Sequence, residues 1–158
     1  MSLFYDALTK KPEVTSPVKI KQEPDPKPYE NIKTFEDAFE IAKGHFKMRT
    51  MPDFSSILPE GIAAGITAFT KLQIIAWAIN NDNPKVVEWI PDYKNINQNK
   101  WAVVYHLVNR EFYPVRGGGR LVFKDERRSA HAEKYFRSLY KDLYLIDSQT
   151  VKNGELRS

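Results

Sequence analysis

Hydrophobic positions along this chain follow different periods in different stretches, and the period predicts the elements. Behind Thr34, the residues Phe35, Ala38, Phe39 and Ala42 recur at helical spacing and predict a first helix ending about Gly44. Thr34 is placed to accept from the free N–H groups of that helix, and Asp37 sits three residues on, near the capping-box pattern. From Glu60 to Asn81 the pattern is again helical, through Ile62, Ile66, Phe69, Gln73, Ala76 and Ile79. Leu72, Ile74, Ile75, Trp77 and Ala78 widen the stripe until most of the circumference is apolar, which predicts a central, buried helix. Asn80 to Pro84 end it.

The period then shortens. Trp101 to Val108 is β-branched and aromatic and predicts a strand; Asn109-Arg110 forms a turn and Glu111 to Val115 the returning strand. Pro114 cannot donate to a ladder, which places it at an edge or a bulge. Gly117, Gly118 and Gly119 suit a turn with positive φ, leading into a third strand, Arg120 to Phe123. Asp125 is the expected N-cap of a last helix, whose stripe is Ala132, Phe136, Leu139, Leu143 and Ile146. The expected fold is α+β: two N-terminal helices, a small antiparallel sheet of about three strands, and a C-terminal amphipathic helix packed on the sheet. Phe136, Leu139 and Leu143 are expected to meet the second helix in the core.

Composition divides the chain further. Residues 10–33 hold five of the ten prolines among many charges, a linker that cannot bury a core. Ahead of it, residues 1–9 place Leu3, Phe4, Ala7 and Leu8 at helical spacing, too short to be a stable helix alone. A greasy motif on a stiff spacer reads either as a docking peptide for another protein, through Leu3, Phe4 and Leu8, or as a frayed terminus. The globular domain is expected over 34–146, with a disordered tail over 147–158. Ile20-Lys21-Gln22-Glu23 matches a modifier-attachment pattern that chance supplies readily in a Lys/Glu-rich linker.

Charge is asymmetric. Residues 34–93 carry five Lys/Arg against eight Asp/Glu, and residues 94–141 eleven against four, within a net charge of +4. The second half therefore offers a candidate anion or nucleic-acid surface: Arg116, Arg120, Lys124, Arg127, Arg128, Lys134 and Arg137 for phosphates, with Trp101, Tyr105 or Tyr113 for stacking. The plain alternative is an ordinary solvated helix face with charged strand edges.

Chemistry finds little support. No cysteine is present, so disulfides and thiolate metal sites are excluded. His45, His106 and His131 fall on a loop, a strand and a helix without ligand spacing. Glu36, Asp37 and Glu40 suit a helix N-terminus better than a catalytic carboxylate pair. The glycine run precedes a strand and carries no Gly-Lys-Ser/Thr, so it is no phosphate loop, although its amides with Arg116 and Arg120 are a candidate anion nest. Asn95, Asn97, Gln98 and Asn99 fit either a recognition loop or ordinary loop chemistry. No stretch is expected to reach the about 20 apolar residues of a membrane span, and the start lacks the order of a secretory signal. The expectation is a protein that is not an enzyme and holds no metal or cofactor.

Three stretches carry a resemblance: Thr34-Phe-Glu-Asp-Ala38 with Lys71-Leu-Gln-Ile-Ile-Ala-Trp-Ala-Ile-Asn80; Trp89-Ile-Pro-Asp-Tyr93 through Asn97-Gln98 and Lys100-Trp101; and Gly119-Arg-Leu-Val-Phe-Lys124 with Phe136 and Leu139-Tyr-Lys-Asp-Leu-Tyr-Leu-Ile146. In this order they resemble a family of small uncharacterised proteins encoded by tailed phages and related elements of gut bacteria. The family pattern is richer in aromatics around the middle strands, the segment between Val108 and Gly117 is short here, and the N-terminal tether lies outside the pattern. The resemblance implies a phage context, in the bacterial host cytoplasm or the virion, and supplies no catalytic residues. The leading expectation is a non-enzymatic phage accessory protein that docks to a phage or host protein through its tethered N-terminus, without a membrane. Nucleic-acid binding by the basic half is the alternative, and a small enzyme the remote one.

Overall fold

A computed structural model describes residues 28–145 apart from Met48 and Pro84. The docking motif with Leu3, Phe4 and Leu8, most of the linker, and the tail from Ile146 lie outside the described residues. The fold is α+β, with three α-helices and a two-stranded antiparallel sheet among the described residues.

A 3-10 turn at Pro28–Asn31 opens the described chain. Its Tyr29, and Ile32 just after it, are buried in the core. Tyr29 and Ile32 thus pack in the core ahead of residue 34; an aromatic and an isoleucine in a charged stretch are too few to show a period. Helix α1 is Phe35–Phe46. Its capping box is complete: the Thr34 hydroxyl accepts from the Asp37 N–H (3.2 Å), and the Asp37 carboxylate accepts from the Thr34 N–H (2.9 Å) and the Lys33 N–H (3.0 Å). These bonds hold the Asp37 carboxyl below its usual pKa. Lys47 closes the helix at φ 52°.

Helix α2 is Glu60–Asn80. At 21 residues it is long and apolar enough, by length and composition, to cross a membrane, which overturns the expectation that no stretch is. In this fold it is the central helix, packed against both α1 and the last helix. Its second half is buried nearly all round, through Leu72, Ile74, Ile75, Ala76, Ala78, Ile79 and Asn80. Its first half is not: Ile62 is 54% and Ile66 37% exposed. All-round apolarity predicted full burial, but the elements available to cover α2 reach only part of it.

Strands β1 (Trp101–His106) and β2 (Glu111–Arg116) form a hairpin in the register Trp101↔Arg116 to His106↔Glu111. Arg110 takes the positive φ of its turn (57°). The three glycines do not: among the described residues no glycine has positive φ. The expected third strand shrinks to one bridge, Trp101↔Phe123, whose N–H and C=O pair with those of Trp101 (2.7 and 2.9 Å). The other edge of this segment is taken by a side chain. Asn80 donates its amide to Val122 O (2.8 Å) and accepts from the Lys124 N–H (2.9 Å), standing in for a neighbouring strand. Leu121, Val122 and Phe123 are consequently all buried, without the alternation of a half-exposed strand.

Helix α3 is Glu126–Tyr144, capped by the Asp125 carboxylate on the Arg128 N–H (2.9 Å). It packs on α2 and across both strands. A stripe at Phe136, Leu139 and Leu143 assumes unbroken helical dihedrals, but the backbone leaves them at Phe136 (φ −119°, ψ 21°). Beyond that point Tyr140 is the inward residue, and Leu139 and Leu143 are only partly buried. Phe112 of β2 lies 6.1 Å, ring to ring, from both Tyr140 and Tyr144.

Candidate functional site

The cations expected on one surface are divided among several places. Arg128 is drawn inward. Its Nε donates to Ile79 O (2.9 Å), one Nη to the Asp125 carboxylate (2.6 Å), and the other to Asp82 (3.0 and 3.1 Å). Its guanidinium also lies 4.3 Å from the centre of the Tyr29 ring. Lys124 donates to Asn80 O (2.6 Å) and stands 3.7 Å from Asp82. Asp82, its side chain 4% exposed, also accepts from the Tyr29 N–H (3.1 Å). The C-terminal carbonyls of α2, the N-cap of α3 and the 3-10 turn are thereby tied by one ionic cluster, where cations at a helix C-terminus are favourable. Burial, with Arg128 beside it, holds the Lys124 ammonium below its usual pKa, against the pull of Asp82. Burial likewise raises the Tyr29 phenol, with Arg128 opposing. In the sequence Asp82 reads only as part of a helix stop, because its partners lie 46 and 53 residues away.

The other expected contacts separate. Arg137 pairs with Glu133 one turn back along α3 (Nε to carboxylate 2.6 Å). Arg116 is exposed at the end of β2, opposite Trp101, which is itself partly buried and engaged with Phe123. Arg120 edges a cleft described below, and Arg127 and Lys134 line a separate recess. Tyr105 packs on Phe112 (4.9 Å), and Tyr113 lies beside His106 (5.8 Å). The expected nest of Gly117 to Gly119 spends its first amide on Lys100 O (3.0 Å).

The cleft, of about 220 Å³, lies between the end of α2 and the loop after it. Its apolar walls are Phe46, Trp77, Trp89 and Pro91. Trp77 is fixed on several sides: His45 stacks on it at 4.3 Å, Phe46 meets it at 5.8 Å, and its indole N–H donates to Glu88 (2.8 Å). His45 lies in α1, not in the loop expected from the sequence. Asn81 holds the opposite wall, accepting from the Trp89 N–H (2.6 Å) and donating to Trp77 O (3.1 Å). Gln73 and Arg120 also line the cleft, and neither side chain has a hydrogen-bond or ion-pair partner among the described residues.

The Asn/Gln-rich loop is internally occupied rather than open. Gln98 accepts from the Asp92 N–H (2.6 Å) and donates to Ile90 O (2.9 Å), while Asn95 accepts from the Asn97 N–H (2.9 Å). The buried Lys100 ammonium donates to Asn95 O and Gln98 O (2.9 and 3.2 Å), and Tyr93 donates to Gly119 O (2.6 Å). These bonds give the cleft a fixed wall without regular secondary structure.

Glu36 and Asp37 stand in the first turn of α1, and Glu40 pairs with Lys43. His106 contacts Asn109 (3.0 Å), and His131 donates through Nε2 to Ile32 O (2.7 Å). Among the described residues no three His, Asp or Glu groups converge as metal ligands. Comparison with protein-family models, curated proteins and solved structures finds no match.

Proposed function

We propose that the protein is a non-enzymatic interaction protein whose docking surface for another protein is the Trp77–Trp89 cleft together with the uncovered face of α2. The observation that carries this reading is the half-covered central helix. Ile62, Ile66, Gln73 and Trp77 follow one another at steps of four, seven and four residues, so a single helix face runs from exposed isoleucines into the aromatic cleft. The walls suit an extended peptide with apolar side chains, and Arg120 favours an acidic one. Leu3, Phe4 and Leu8 form a second, tethered contact in this reading. The resemblance of residues 34–146 supports a phage accessory role with a phage or host protein as partner.

The test uses full-length tagged protein in phage-infected cells. An Ile62→Ser/Ile66→Ser/Trp89→Ala variant and a Leu3→Ser/Phe4→Ser/Leu8→Ser variant are compared with the parent, each checked for an unchanged circular dichroism spectrum. A protein recovered with the parent and lost with the first variant supports the cleft; one lost with the second supports the tether. Recovery of the same proteins by all three sinks the reading.

A further inference from the structure

A second concave surface, of about 540 Å³, shares no residue with the cleft. It lies between the 3-10 turn and the outer side of α3. Arg127, His131 and Lys134 are four and three residues apart and so stack along one helix face. Lys33 faces them from the turn, its backbone N–H held by Asp37. The His131–Ile32 bond ties the helix to the turn and forms the floor. Burial lowers the His131 pKa, and its Nε2 donates to the Ile32 carbonyl.

Aromatic rings line the same recess. Tyr29, buried, meets His131 edge-on at 5.4 Å, and His131 meets Tyr135 at 4.6 Å. Tyr135 is the partly exposed end of this row, with the Lys33 and Lys134 ammoniums 5.8 and 5.1 Å from its ring centre. Lys33, Arg127 and Lys134 have no carboxylate within ion-pair distance among the described residues, and Glu30 is the one acid lining the recess. Lys43, Lys124, Arg128 and Arg137 do have one, while Arg116 and Arg120 also lack one but lie outside the recess.

Cations without carboxylate partners around a partly exposed ring suit a ligand that carries both phosphates and a stacking face. A single strand offers both, phosphates for the cations and a splayed base for the ring, whereas a duplex keeps its bases stacked away from a tyrosine. We propose that this recess binds single-stranded nucleic acid, with phosphates on Lys33, Arg127 and Lys134 and one base on Tyr135. Arg128 and Lys124 take no part, because their donors are engaged within the protein, and Arg137 lies outside the recess, paired with Glu133.

The test is fluorescence anisotropy of the full chain with a labelled oligothymidylate of about 15 nucleotides, at about 50 mM salt and above. With three phosphates neutralised, log K should fall against log salt with a slope of about −2. Arg127→Glu/Lys134→Glu should weaken binding at least about tenfold. Tyr135→Leu, which keeps an apolar filler but no ring, should weaken it about tenfold, while Tyr135→Phe leaves it nearly unchanged. Arg116→Glu/Arg120→Glu should alter it by less than about twofold, having no place in the recess. Thermal melts establish that each variant is folded. No binding at low salt overturns the site. So does equal loss on Arg116→Glu/Arg120→Glu, equal affinity for duplex, or a Tyr135→Leu variant that binds like the parent. Competition by inorganic phosphate as effective as that by unlabelled oligomer would reduce the recess to an anion site and overturn the stacking role.

Discussion

Replacing Asn80 by alanine tests how the short segment after the glycines is held. Asn80 is 3% exposed, and its side chain makes two bonds to the backbone 42 and 44 residues away. Alanine removes both and leaves Val122 C=O and Lys124 N–H without partners in a region where Leu121, Val122 and Phe123 are all buried. An abandoned buried polar group costs about 1–3 kcal/mol; the Lys124 N–H is only partly buried, so the pair should cost about 2–5 kcal/mol rather than the full sum. For a domain of this size the melting temperature then falls by about 8–20 °C. Urea unfolding should show the midpoint lowered with an unchanged slope, and hydrogen exchange should show lost protection around Phe123 and its bridge partner Trp101. Asn81→Ala provides the internal contrast. It removes three backbone bonds, to Trp77 O and to the Trp89 N–H and C=O, but at a partly exposed position where water replaces them, and should cost about 1 kcal/mol. An Asn80→Ala protein within about 0.5 kcal/mol of the parent would refute the side-chain edge.

Other outcomes follow from the buried polar groups. Asp82→Ala leaves Arg128 and Lys124 without their shared counter-ion and should destabilise by about 3–5 kcal/mol in denaturant unfolding; a loss under about 1 kcal/mol would show that the cluster is screened. Tyr140 is buried with no partner for its hydroxyl among the described residues, and burial raises its pKa far above the ordinary phenol range. Tyr140→Phe should therefore leave stability unchanged or raise it by up to about 1 kcal/mol, whereas Tyr140→Ala should cost about 3–5 kcal/mol. Leu139→Ala, at a partly buried position, should cost less than the about 2–5 kcal/mol of a full core truncation. The His131 pKa is lowered in the folded state, chiefly by burial, with the Ile32 hydrogen bond opposing. The unfolded chain therefore takes up the proton first, so this contribution is present above about pH 6.5 and is lost as pH falls toward the lower folded value. Melting temperature should drop over that range, and His131→Gln should flatten the drop; an equal drop in both would place the titration elsewhere.

Local features of the sequence determined local structure. Thr34 and Asp37 begin α1, Asp125 begins α3, and the β-branched run from Trp101 begins the hairpin, because capping and periodicity act within a few residues of themselves. What the chain brought together from afar was decided only in three dimensions. Burial of Tyr29, the Asp82–Arg128 cluster and the Asn80 edge rest on contacts across dozens of residues, between groups that leave no period in the sequence. The same holds for the two candidate surfaces. The basic half was visible as a count of charges, but which cations remain available depended on which ones folding paired internally. The apolar circumference of α2 was visible as well; how much of it stays uncovered depended on how far α1, α3 and the 3-10 turn reach along it.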